Sequence, residues 1–179
     1  MTLLRWFDMA SNVNRKSVAS WIDREMWGGS ALRVSLLGVS LAPVSFALEN
    51  CLEFVLDRLL TAMGFASRLD ALKGAQAVGS WISPVLLAPI LENLVCLMVL
   101  RAFFQEQRSW WKGPLAVALM AGLFHSLVYW EPRYLAVGAN FFIICSLIAN
   151  VRNRTAGFWA SVIVHSLGNA LVLLSLRLA

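Results

Sequence analysis

Charge is scarce in this chain. Asp, Glu, Lys and Arg make up 14% of its 179 residues and hydrophobic residues 59%, where soluble domains hold about 25% and about 45–50%. With a mean hydropathy of +0.70, an ordinary soluble domain is excluded. Cysteine is equally sparse. Cys51, Cys96 and Cys145 are odd in number and lack C-x-x-C spacing, so neither a disulfide framework nor a thiolate metal centre is indicated. Basic residues outnumber acidic ones, giving a net charge of +5, yet no basic block alternates with aromatics, so nucleic acid is not an expected partner. The first thirty residues lack the short basic start and continuous apolar stretch of a cleavable signal, and carry Asp8, Asp23 and Glu25. The N-terminus is therefore expected to be retained. Length leaves room for one domain and no separate soluble catalytic module.

What is present is long apolar runs. Five of them, at Ala31–Leu48, Gln76–Leu100, Pro114–Trp130, Tyr134–Ala149 and Gly157–Leu176, approach the ~20 residues that a helix needs to cross a bilayer. Trp27, Trp110, Trp111, Trp130 and Trp159 fall near their ends, as in an interfacial aromatic belt. Glu131-Pro132-Arg133 predicts a tight turn between the third and fourth runs. Residues 1–30 mix Trp6, Phe7, Trp21 and Trp27 with Arg5, Arg15, Lys16 and Arg24, the make-up of a helix lying on the membrane surface. Segment Asn50–Ala66 repeats Glu49, Glu53 and Asp57 every four residues beside Phe54, Leu56, Leu59, Leu60 and Met63. It reads as an amphipathic interfacial helix with a solvated acidic stripe, or else as a sixth crossing whose acidic residues line a path. The expected fold is therefore an all-α polytopic bundle of five to six transmembrane helices, residues 31–179, behind the interfacial segment.

With five crossings, a cytoplasmic N-terminus places ten of the 15 Lys and Arg residues inside and five outside, which favours that orientation. Three ionisable side chains interrupt the runs: Glu92, His125 and His165, the last two being the only histidines. Each costs at least ~2.5 kcal/mol at the centre of a membrane helix, so such residues ordinarily face a polar interior or a functional site. At 1.5 Å per residue, Glu92 lies ~13 Å from Arg101, His165 ~16 Å from Arg154 and His125 ~20 Å from Lys112. All three sit near the middle of a ~30 Å hydrocarbon layer. Asn169 follows His165 by four residues and Ser161 precedes it by four, so the three share a helix face.

These residues admit several chemistries. His165 and Asn169 can hold a polarised oxygen, or serve as helix–helix hydrogen-bonding contacts. Glu92 with both histidines makes a ligand set of the kind found on catalytic zinc, although no HExxH motif is present. Cys96, four residues after Glu92, is a possible nucleophile but is more simply a small packing residue. A proton or ion relay is a further option, though no internal repeat of the transporter type is evident.

The C-terminal stretch Arg154-Thr155-Ala156-Gly157-Phe158-Trp159-Ala160-Ser161-Val162-Ile163-Val164-His165-Ser166-Leu167-Gly168-Asn169 resembles the last motif of the CPBP family. These are the CAAX-protease and bacteriocin-processing intramembrane proteins. Ala88-Pro89-Ile90-Leu91-Glu92 resembles the proline-preceded glutamate of that family's first motif, and Gly122-Leu123-Phe124-His125 its second. Agreement in order and spacing runs over about Val85–Leu174. The chain departs from the family's EExxxR at Asn93 and Leu97, and from FxxxH at Ala121. Losing the second glutamate together with the arginine leaves neither charge buried alone.

The resemblance implies a glutamic intramembrane protease, with no cofactor, acting on a membrane-associated peptide or protein within the lipid bilayer of a bacterial cytoplasmic membrane. Prenylated tails, leader peptides and C-terminal anchors are the substrate classes it suggests. By the same resemblance Glu92 is the general base and His125 orients the water. His165 and Asn169 form the oxyanion hole. A non-catalytic relative acting as an immunity or binding partner, or a zinc-dependent membrane peptidase, is the alternative.

Overall fold

The computed structural model describes residues 30–68, 72, 81–104 and 110–178. The surface helix expected within residues 1–30 lies almost wholly outside them, as does the beginning of the second apolar run. Five helices follow in order: α1, Ala31–Ala62; α2, Ala88–Phe104, entered through a π-helical turn at Ser83–Leu87; α3, Lys112–Tyr129; α4, Val137–Asn150, entered through a 3₁₀ turn at Pro132–Ala136; and α5, Arg154–Leu178. The described residues contain no strand. Counted with their entry turns, all five are long and apolar enough to cross a membrane.

The packing is that of a protein dissolved in lipid. Large apolar side chains such as Leu36, Leu91, Met98, Leu123 and Leu127 point outward, while the interior mixes Phe141, Ile144 and Leu147 with small residues such as Ala42, Ser45, Ala160 and Ser161. Without water to expel, membrane helices associate through close backbone approach and interhelical hydrogen bonds. Gly38 of α1 shows how tight this is, because a Cβ built there would lie 2.7 Å from the Ala160 carbonyl of α5. Helix α4 is central and touches the other four helices. Its Phe141, Ile144, Cys145, Leu147 and Ile148 form the middle of the core with Val34, Cys96, Leu100, Val117, Ala160 and Val164.

Residues Asn50–Ala62 are neither a separate interfacial helix nor a sixth crossing; they continue α1 without interruption. No glycine or proline falls between Val44 and Met63, and the first break comes at Gly64, whose φ is +87°. At 1.5 Å per residue the 32 residues of α1 span ~48 Å, well beyond a ~30 Å hydrocarbon layer. The acidic stripe also faces the other way from the solvated reading. Gly38, Ala42 and Ser45 are buried on the inward face of α1, and Glu49, Glu53 and Asp57 extend that same face, each half-buried. Leu52, Phe54, Val55 and Leu59 are the exposed residues instead.

Asp57 turns inward because a cation meets it there. Arg133, in the turn before α4, is fully buried. Its guanidinium donates to Asp57 Oδ1 at 2.7 Å, Glu131 Oε1 at 2.9 Å, Thr61 Oγ1 at 3.1 Å and the Phe65 carbonyl at 3.2 Å. Glu131, also buried, accepts from the Arg68 backbone N–H at 2.8 Å through its other oxygen. Such a network holds buried charge because all three guanidinium nitrogens and both Glu131 oxygens have partners. The tight turn expected at Glu131-Pro132-Arg133 is thus also the clamp that fixes the far end of α1. Trp130 closes α3 in the left-handed region, at φ 51°, and the Glu131 N–H bonds back to the Ser126 carbonyl at 3.1 Å.

Candidate functional site

Three helices bring one ionisable side chain each to a single point. Glu92 projects from α2, His125 from α3 and His165 from α5. Glu92 Oε2 lies 4.0 Å from His125 Nε2 and 3.6 Å from His165 Nε2. These are longer than direct hydrogen bonds. The carboxylate side chain is 36% exposed and those of the histidines 19% and 4%, so Glu92 faces an opening while His165 forms the inner wall. The opening is a cavity of about 460 Å³, lined by Glu92, His125, His165 and Asn169. Glu49, Asn50 and Glu53 of α1 also line it.

Phe141 of α4 holds both imidazoles. Its ring lies 5.5 Å from that of His125, tilted, and 5.3 Å from that of His165, edge-on. The only two tyrosines in the sequence, Tyr129 and Tyr134, stack on each other at 4.7 Å. Tyr129 also stacks on His125 at 6.3 Å. Aromatic contacts at these separations restrain the ring planes. His125 Nδ1 lies 2.8 Å from the Ala121 carbonyl. A carbonyl can only accept, so Nδ1 carries the proton and His125 presents the lone pair of Nε2 to Glu92.

Asn169 is tied to the turn that carries Glu92. In the π-helical register the Ala88 N–H bonds to the Ser83 carbonyl. The next carbonyl, Pro84, would then take its hydrogen bond from residue 89, but Pro89 has no N–H. Asn169 Nδ2 fills that vacancy at 2.7 Å. One amide hydrogen of Asn169 is thereby committed to the backbone, and the other remains for the cavity. The structure thus gives a physical reason for the proline that precedes the glutamate in sequence: it opens a carbonyl for α5 to hold.

The position that departs from a double glutamate is also occupied productively. Asn93 is fully buried, with Oδ1 2.9 Å from His165 Nδ1 and Nδ2 donating to Ser161 Oγ at 3.0 Å. Leu97 packs against the apolar core. Neither substitution leaves a charge stranded. Cys96 belongs to the same core and is absent from the cavity wall. Among the described residues, no group of three or more His, Cys, Asp and Glu is arranged to hold a metal ion.

Sequence reasoning singled out Glu92, His125, His165 and Asn169, and the structure gathers all four around one cavity. It passed over Asn140, a buried residue of the cavity wall whose Oδ1 accepts from Ser45 Oγ at 2.7 Å. It named Asn93 only as a departure. The available signal was the same for both: an amide inside an apolar run is costly and seeks a partner. Glu49 and Glu53 were read as a solvated stripe or, in a sixth crossing, as lining a path; they line the cavity from within α1. Among the described residues, no lysine or arginine lines the cavity.

A family model described as Type II CAAX prenyl endopeptidase Rce1-like matches residues 74–171. That interval contains Glu92, His125, His165 and Asn169. No curated protein and no solved structure matches the chain.

Proposed function

The chain belongs to the Type II CAAX prenyl endopeptidase Rce1-like family, and from that premise we propose that it hydrolyses a peptide bond in a membrane-associated peptide or protein by means of water activated at Glu92. Membership makes it an integral membrane protein of a protease family. The mechanism, the residues and the substrate are the proposal. The observation that carries it is the convergence of Glu92, His125 and His165 from three separate helices on one cavity.

In the proposed reaction a water sits between Glu92 Oε2 and His125 Nε2. Placed ~2.8 Å from each, it subtends an angle of about 90° across their separation, near what its two hydrogens span. Both hydrogens are then held by acceptors and a lone pair is left for the substrate. Glu92 takes one proton as the water oxygen bonds to the scissile carbonyl carbon, and the π electrons of that carbonyl move to its oxygen. The free amide hydrogen of Asn169 faces the oxyanion. The proton then passes to the leaving nitrogen, the C–N bond breaks, and a carboxylic acid and an amine result. A carboxylate withdrawn from water is a stronger base than one in solution. A fixed donor at the oxyanion is worth ~3 kcal/mol.

The family description makes a prenylated C-terminal tail the first substrate to try. The same proposal places the N-terminus in the cytoplasm, on the distribution of basic residues. The test is Glu92→Gln, which keeps the shape and removes the base. It should lower cleavage of a prenylated peptide at least 10³-fold while insertion and abundance stay near wild type. Cleavage by that variant at the wild-type rate refutes the mechanism.

A further inference from the structure

Behind His165 runs a chain of hydrogen bonds whose direction can be read from its far end. The Phe158 carbonyl can only accept, and Ser161 Oγ lies 2.6 Å from it, so the hydroxyl hydrogen is spent there. Ser161 Oγ must then accept from its other neighbour, which is the Asn93 Nδ2 amide at 3.0 Å. With the NH₂ end so placed, Asn93 Oδ1 faces His165 Nδ1 at 2.9 Å. A carbonyl oxygen there requires Nδ1 to be the protonated nitrogen. Asn93 and Ser161 are fully buried and His165 is 3% exposed, so water does not compete for these partners.

We infer that Asn93 is a positioning residue: backed by Ser161 and the Phe158 carbonyl, it locks His165 in the Nδ1–H tautomer and aims the Nε2 lone pair at Glu92. Neutral His165 is therefore a hydrogen-bond acceptor toward Glu92. This alters the role that the resemblance implies for it, because an oxyanion donor needs a hydrogen on Nε2. Once Glu92 has taken a proton from water it is a carboxylic acid, and the Nε2 lone pair, 3.6 Å from Oε2, is placed to accept its O–H. His165 stays neutral throughout, and Asn93 Oδ1 still accepts from Nδ1. The oxyanion is met by the Asn169 amide hydrogen. The proton then goes from Glu92 to the leaving nitrogen as the C–N bond breaks, which returns Glu92 to carboxylate. The Asn93 amide holds this geometry without placing a second carboxylate beside Glu92, as a double-glutamate motif does.

This inference rests on the reading of Glu92 as the base, and its test is chosen to stand apart from that reading. Histidine labelled with ¹⁵N in the ring reports which nitrogen bears hydrogen, whether or not any peptide is cut. The chain has two histidines, so a His125→Gln background leaves the His165 signals alone. At neutral pH the wild-type pair Asn93–His165 should give a protonated Nδ1 and a bare Nε2. Asn93→Leu should shift the ring largely to the Nε2–H form. Asn93→Asp, which still offers an oxygen to Nδ1, should retain the Nδ1–H form and so rescue the signature. With His125 intact, Asn93→Leu should lower kcat about 10-fold or more with KM within about 2-fold. Should Asn93→Leu fail to fold, Ser161→Ala, which removes the acceptor that orients Asn93, should give a mixture of tautomers. A wild-type Nε2–H form, or a tautomer unmoved by these substitutions, overturns the inference. Loss of cleavage in Glu92→Gln is the separate check on the base.

Discussion

Arg133→Ala should be among the most destabilising single substitutions outside the cavity, and its cost can be apportioned from the geometry. The wild-type guanidinium makes four side-chain hydrogen bonds, to Asp57, Glu131, Thr61 and Phe65. Its removal affects the two carboxylates unequally. Asp57 is 41% exposed and can rehydrate, so its share is that of a half-exposed ion pair, about 0.5–1 kcal/mol. Glu131 is 1% exposed and would keep its charge buried with only the Arg68 and residue-133 N–H groups to support it. Stranding a buried charge in this way costs about 3–5 kcal/mol. The expected order of destabilisation is Arg133→Ala greatest, Glu131→Gln intermediate and Asp57→Asn least. The double variant Glu131→Gln/Arg133→Met should lose less than Arg133→Ala alone, since no lone charge remains. Reversible unfolding in mixed dodecyl maltoside and SDS micelles, followed by tryptophan emission, measures all four. An Arg133→Ala loss within about 0.5 kcal/mol of the Asp57→Asn loss would refute the argument, because it would mean that water reaches Glu131.

Other expectations follow from the same structure. Burial pushes the Glu131 carboxyl pKa up, but the Arg68 N–H and the bonds and charge of Arg133 outweigh burial and hold it below the ordinary carboxylate value. Its stabilisation is therefore complete at neutral pH and is lost as pH falls below the ordinary carboxylate range and through the depressed folded-state value; an acid unfolding titration should show that limb in wild type and lack it in Glu131→Gln. Asn169→Ala should lower the single-turnover rate about 10²-fold and also loosen the π turn at Ser83–Leu87, seen as faster amide exchange around Val85–Ile90. Asn169→Ala with a wild-type exchange pattern would separate the two roles and contradict the link through Pro84. Exhaustive treatment of purified protein with EDTA or phenanthroline should leave cleavage unchanged, and activity lost on chelation and restored by zinc would favour the His–His–Glu ligand set instead.

What the sequence determined by itself was set by cost and local period. Apolar runs of sufficient length must become helices that satisfy their own backbone in lipid, so five crossings and the turn at Glu131-Pro132-Arg133 were legible without coordinates, while a sixth crossing at Asn50–Ala66 stayed open until the structure showed one continuous α1. Glu92, His125 and His165 were legible as candidates for the same reason, since an ionisable group at mid-membrane depth is costly and ordinarily faces a polar interior or a site. The tertiary structure decided what each polar group meets. Asn169 binds a carbonyl 85 residues away, His165 an amide 72 residues away and Arg133 a carboxylate 76 residues away. Those pairings depend on how each helix is rotated about its axis and how far it is shifted along it. Periodicity does not encode either quantity when both faces of a helix are apolar, as in α2, α3 and α4. Helix α1 makes the point most clearly. Its spacing placed Glu49, Glu53 and Asp57 on one face, but only packing against the Arg133 turn and the cavity could tell that this face points inward.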